Sequence, residues 1–206
     1  MRFSVHKVCL GLLILAQITG AGMASAAAES DWPCVQRKIP EISPAAVWAG
    51  PPLDRVAERW RRDPAVAPLV ERLAARRTPV EEAEREIVEV ARLAGDAREQ
   101  KLLILAAGLL DTLNAERADV IAGIERYGVK QRQLAEKLRR DRSSLDAMQD
   151  DPVADPAKVA EANDQLTWDL RIFDDRQQSL SFVCEVPVLI EQRLFQLLRT
   201  VQDALD

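Results

Sequence analysis

Asp150-Asp151-Pro152-Val153-Ala154-Asp155 separates two long stretches of helical pattern, and the fold follows from what lies on either side of it. Upstream, Leu102, Ala106, Leu109, Leu113, Val120, Ile124, Tyr127, Leu134, Leu138, Leu145 and Met148 fall on one stripe. Downstream, Val159, Leu166, Leu170, Phe173, Leu180, Cys184, Leu194, Leu198, Val201 and Leu205 do the same. Apolar residues three and four apart line one face of an α-helix, and proline ends the first run. Two such helices joined by a short breaker fold back as a hairpin. The chain therefore reads as all-α: a small helical body with a long antiparallel coiled-coil hairpin arm, its long helices spanning 96–149 and 156–205.

The two ends of the hairpin differ. Residues 102–113, Leu-Leu-Ile-Leu-Ala-Ala-Gly-Leu-Leu-Asp-Thr-Leu, are apolar nearly all round, which requires neighbours on several sides. The run is too short to span a bilayer and reads as a core helix. From 129 to 148 only a thin stripe survives, interrupted by Gln131 and surrounded by Lys130, Arg132, Lys137, Arg139, Arg140 and Arg142. That pattern suits just two helices, so the distal half projects as an arm, about 45 Å from Cys184 to the tip at 1.5 Å per residue.

Short helices are expected over 53–94. Residues 53–62 carry Val56 and Trp60 at helical spacing, and Asp63-Pro64 caps and restarts the chain. Residues 65–77 place Val66, Leu69, Val70 and Leu73 on one face. Thr78-Pro79-Val80-Glu81 matches a capping box opening a helix to Ala94. Gly95 closes that helix, and Asp96 with Glu99 opens the next.

Ahead of this domain stands a different kind of sequence. Met1-Arg2-Phe3-Ser4-Val5-His6-Lys7 is basic, an apolar run follows, and Ala24-Ser25-Ala26 is a cleavage pattern. Residues 1–26 are thus expected to be a secretory signal peptide cleaved near Ala26, with an uncleaved anchor as the competing reading. The expected location is the periplasm. Residues 27–52 form a proline-rich strap, since 29–52 hold five of the eleven prolines and two of the four tryptophans, Trp32 and Trp48. One helical turn, with Ser43 as N-cap, Pro44 first and Gly50 beyond its end, is expected inside it. A strap of this kind gains order by lying on the body, with Trp32 and Trp48 as its anchors.

Removal of the signal changes the chemistry that remains. It leaves 26 basic against 33 acidic residues, a net charge of −7, and takes away the sole histidine, His6. No Ser-His-Asp or Cys-His pair and no imidazole metal site can then be built. Carboxylate-only chemistry is the catalytic route still open. Two cysteines remain, Cys34 and Cys184, and in an oxidising compartment they are expected to pair as a disulfide. The acidic turn at 150–155 lacks a calcium-loop pattern, and no phosphate-binding glycine loop or G-x-S-x-G is present. Neither a cofactor nor a metal is implied.

The basic cluster on the first arm helix faces residues 163–175 across the hairpin, where Asp164, Asp169, Asp174 and Asp175 stand, with Glu161 close by. Cross-hairpin pairing that sets register is therefore expected in place of nucleic-acid binding. Trp168 lies two residues from Leu166, turned by about 200° to the outer side. It is the leading partner-contact candidate, together with Arg139 and Arg140. The competing reading lays its ring along the stem of Lys137 or Arg171. Pro187, inside the second long helix, should kink or break it near 183–187.

The reading that follows is a non-enzymatic periplasmic adaptor presenting a coiled-coil arm to an envelope protein or to itself, with no membrane span after signal cleavage. The alternative is a small-molecule or lipid-binding helical bundle, its pocket between 102–113 and the short helices and lined by Trp60 and Leu109.

Overall fold

The structure, a computed structural model, describes residues 32–206. Its five α-helices are α1 (Pro44–Val47), α2 (Ala67–Ala74), α3 (Val80–Leu93), α4 (Arg98–Asp150) and α5 (Pro156–Asp203), and the described residues contain no strand. α4 runs for 53 residues and α5 for 48. Between them the chain reverses within 151–155, where the Asp155 carboxylate caps α5 by accepting from the Ala157 N–H at 2.9 Å. The expected hairpin is present with its ends within two residues of the sequence reading. The expected signal at 1–26 and the first residues of the strap lie outside the described residues.

The body forms where α4 is apolar all round. Leu102, Leu105, Ala106, Leu109 and Leu113 are fully buried. They meet Leu73 of α2, Ile87 of α3, and Ile190, Leu194, Leu197, Leu198 and Val201 of α5 in one core. Gly108 lets this packing close: a Cβ there would stand 2.6 Å from Cγ2 of Val70 and 3.1 Å from Cγ of Trp60. A second cluster, Leu138, Leu145 and Leu166 with Leu134, Val159, Ala162 and Phe173, belongs to α4 and α5 alone and is the seam of the arm.

Several local expectations are corrected. Residues 53–59 are turns leading into a 3-10 helix, Trp60–Arg62, because the Val56, Arg59 and Arg62 N–H groups each bond three residues back. The helix expected over 65–77 is the shorter α2. Thr78 builds no capping box, since its hydroxyl donates to the Arg72 carbonyl at 2.8 Å, and Pro79 stands at the N-cap of α3. Gly95 does take the left-handed conformation, φ 53°, that ends α3. A 3-10 turn, Gly95–Ala97, then leads into α4 without a side-chain cap from Asp96. Pro187 does not break α5, which is helical through it, and its ring is buried. Leu170, expected in the seam, is 43% exposed, while Asp169 turns inward. Leu166, Leu180, Pro187, Leu194 and Val201 stay buried at seven-residue spacing, and the second seam position follows Leu166 by three residues, not four, which places Asp169 where Lys137 reaches it across the seam and leaves Leu170 beside it.

The strap lies across the body as expected, tied by the disulfide between Cys34 and Cys184, 5.6 Å apart at Cα. Trp48 is buried, with its indole N–H on the Pro51 carbonyl at 2.8 Å, and Trp32 is half-buried. Polar side chains hold the rest. Asn114 grips the backbone of Ile42 twice, accepting from its N–H at 3.0 Å and donating to its carbonyl at 2.9 Å. Buried Arg117 donates to the Ile39 carbonyl, and Gln36 donates to the Cys184 carbonyl. That last contact lies one residue from Val183, whose carbonyl loses its helical partner to Pro187.

Candidate interaction surface

The arm is built from the outer parts of α4 and α5, and its root carries polar contacts. The Tyr127 hydroxyl donates to the Arg176 carbonyl at 3.1 Å, and the Gln131 amide to the Phe173 carbonyl at 2.9 Å. Gln131 is thus a buried register pin, its own Oε1 unpartnered, in the manner of single polar residues in coiled-coil seams. Further out, Lys137 donates to Asp141 on its own helix at 2.6 Å and to Asp169 across the seam at 2.7 Å. Those bonds to Asp141 and Asp169 raise the Lys137 ammonium above its ordinary pKa. The Asp169 carboxyl is held below its ordinary value by the Lys137 bond first and by Gln165 second.

Most of the expected cross-hairpin pairing is absent. Among Lys130, Lys137, Arg139, Arg140 and Arg142, Lys137 alone reaches across the seam, while Arg142 bonds Asp146 on its own helix at 3.1 Å. Arg139 and Arg140 are exposed and without an ion pair. The reason is geometric: residues one apart on a helix point about 100° apart, so a sequence-contiguous basic run encircles α4, and few of its members can face α5.

Trp168 stands level with Lys137 along the arm, on the outer side of α5, and is 58% exposed. Neither Lys137 nor Arg171 lies over its ring, and the cation–π contact of the body is Arg61 above Trp60, 4.7 Å from the ring centroid. Arg139 and Arg140 sit two and three residues further toward the tip, pointing in different directions, so the three candidates share a level of the arm without forming one patch. Trp168 has company that sequence reasoning missed: Phe182 and Leu189, further along α5, are also exposed. Their signal was present in the spacing, which places all three on one line.

Between 102–113 and the short helices a cleft of about 210 Å³ opens, lined by Leu53, Ala57 and Arg61 with Ala107, Leu110 and Asp111, but the expected lining residues Trp60 and Leu109 are not part of it. Leu109 is fully buried, and Trp60 packs over Gly108. A groove of about 860 Å³ lies between α3 and α5, with Val88 and Phe195 as its apolar surface and Glu81, Glu84, Glu89 and Arg85 along one wall. Among the described residues no three His, Cys, Asp or Glu side chains are gathered to hold a metal ion, and no helix is long and apolar enough to cross a membrane. Comparison with protein-family models, with curated proteins and with solved structures gives no match.

Proposed function

We propose that this chain is a non-enzymatic interaction protein of the periplasm, whose helical body holds a two-helix arm and offers it to a protein partner in the cell envelope. The observation that carries the reading is Trp168: a large aromatic ring, more exposed than covered, on an arm built of only two helices. Tryptophan in that setting is the residue type most often found at the energetic centre of a protein interface. The Cys34–Cys184 bond is compatible with an oxidising compartment and so with export.

The test is Trp168→Ala, in pull-downs from envelope extract and in thermal melts. Because the ring lies outside the seam, truncation should change fold stability by no more than about 1 kcal/mol. Capture of the partner should fall more than about tenfold, corresponding to the 2 kcal/mol or more of a hot spot. A large drop in melting temperature, or unchanged capture, refutes the assignment. A ligand-binding bundle is the second reading, favoured by the α3–α5 groove, and a small molecule that copurifies with the chain and is lost on Phe195→Glu would support it.

A further inference from the structure

Where the strap crosses α4 and α5, a cleft of about 160 Å³ remains between them. Trp32 and Ile39 of the strap form one wall, and Ile121 of α4 with Pro187 and Val188 of α5 forms the other. Ile39 and Val188 are 44 and 40% exposed, so apolar surface is left within reach of solvent there. The disulfide and the Gln36 bond to the Cys184 carbonyl fix the strap wall in place. Three charged groups line the cleft, Arg37, Arg117 and Glu191. Of the charges next along the chain, Lys38 and Glu125 pair with each other, and Glu185, three residues before Val188, does not line it.

Arg117 is the unusual member. It is 4% exposed, yet only one of its nitrogens makes a hydrogen bond, to the Ile39 carbonyl. Its Nε has no acceptor. Its other terminal nitrogen stands 3.7 Å from a Glu191 oxygen, near enough to attract and too far for a hydrogen bond. Buried polar groups are ordinarily satisfied, so a guanidinium this covered and this little used, in the wall of a cleft, is built for something more. Arg37, exposed at the same cleft, has no ion pair.

We propose that this cleft binds a free α-amino acid with a small apolar side chain, of the kind of valine or leucine. The ligand carboxylate faces Arg117 and Arg37, its ammonium faces Glu191, and its side chain lies against Trp32, Ile39 and Val188. The site shares no residue with the α3–α5 groove and does not depend on the arm having a partner. Charge selects the class. A carboxylic acid without an ammonium is drawn by the arginines and repelled by Glu191, and an amine without a carboxylate meets the reverse. Distance selects the α-amino acid. Its ammonium nitrogen and nearer carboxylate oxygen lie roughly 2.7 Å apart by ordinary bond lengths, and charge-assisted hydrogen bonds are about 2.8 Å long. Arg117, ligand carboxylate, ligand ammonium and Glu191 thus close a ring of alternating charge whose last side is the 3.7 Å already present. A cavity of about 150 Å³ takes up one benzene, so with the charged end at the open mouth a leucine side chain is near the upper limit of size.

The test is titration calorimetry on the full chain, disulfide intact, with L-leucine, with isocaproate, which is leucine without its ammonium, and with isopentylamine, which is leucine without its carboxylate. L-Leucine should bind with a dissociation constant below about 1 mM. Each analogue should bind at least about tenfold more weakly, since each lacks one charged hydrogen bond. Glu191→Gln should weaken L-leucine about tenfold and erase its advantage over isocaproate. Arg37→Gln should weaken L-leucine and isocaproate together and leave isopentylamine as it was. Both side chains are largely in solvent, so the melting temperatures without ligand should stay at the parent's. No binding of L-leucine at about 10 mM, an analogue as tight as L-leucine, or a preference that ignores Glu191→Gln overturns the proposal.

Discussion

Replacing Cys34 and Cys184 together by serine asks what the staple contributes and where. The bond joins residues 150 apart in sequence, and the chain-entropy relation assigns a loop of that length about 5 kcal/mol at 25 °C through the unfolded state. The structure divides the consequence. Residues 32–39 are held by Gln36 on the Cys184 carbonyl, Arg117 on the Ile39 carbonyl and Lys38 paired with Glu125. Three such contacts contribute about 3–5 kcal/mol, whereas ordering eight backbone residues costs about 8–16 kcal/mol. Without the disulfide this segment should come away. Residues 42–48 should stay, because Asn114 clamps Ile42 and because Ile42 and Trp48 are buried. The released segment gives the folded variant entropy of its own, which trims the net loss to about 3 kcal/mol. For a domain of this size that lowers the melting temperature by about 10 °C. Thermal melts give the total, and amide exchange shows where protection goes. A midpoint within about 2 °C of the parent's would refute the entropic account, and exchange spreading into 102–113 would show that the strap organises the core instead of lying on it.

Three further outcomes follow from individual contacts. Gly108→Ala should lower the denaturant midpoint, because a methyl 2.6 Å from Val70 Cγ2 and 3.1 Å from Trp60 Cγ costs about 1–3 kcal/mol of overpacking, more than the gain in helix propensity of about 1 kcal/mol. Arg193→Met should cost about 1–3 kcal/mol: the guanidinium, 7% exposed and drawn below its ordinary pKa by burial against an opposing pull from Glu116, donates to the Leu73 carbonyl at 3.1 and 2.5 Å. Its loss strands a carbonyl in the last turn of α2, which amide exchange at 75–78 would register. The third concerns acid. Lys137 holds the Asp169 carboxyl below its ordinary value, so this contribution is complete above the unfolded aspartate value near 4 and is lost as the pH falls through the lower folded value. Asp169→Asn should therefore flatten the acid limb of the melting-temperature profile below about pH 4, and a profile parallel to the parent's would show that the pair carries no pH dependence.

The hairpin was legible because its signal is long and redundant. Some twenty apolar positions at helical spacing agree, and Asp150 to Asp155 can hardly continue a helix. The disulfide was legible by arithmetic, two cysteines left in a chain read as exported. What could not be read is the work of polar side chains at helical positions. Arg117 falls on the apolar stripe itself, four residues after Leu113, while Asn114 and Arg193 stand beside it, and the backbone carbonyls that each of the three reaches make their burial tolerable. Thr78 fits a capping box letter for letter, yet its hydroxyl turned to the nearer carbonyl of Arg72. Trp60 was placed beside a pocket, although Gly108, a residue that weakens a helix interior, is itself a sign that something large packs against that turn.

The same physics bears on why an arm of this kind would need a partner. Its seam fully covers only Leu138, Leu145 and Leu166, and at its root the buried Gln131 leaves one oxygen without a donor. Beyond the root each helix touches just one neighbour, so the arm belongs to the least stable end of the molecule, where local opening costs far less than unfolding the body. A surface helix so thinly supported gains little from carrying Trp168, Phe182 and Leu189 outward, since apolar side chains in water contribute nothing to holding α5 against α4. Covering that outer line would hold α5 from its second side and tighten the seam at the same time, because the two stripes share one backbone. Binding at the outer face and order in the inner seam are then linked: whatever covers the first stabilises the second, by an amount that grows with its concentration over its dissociation constant.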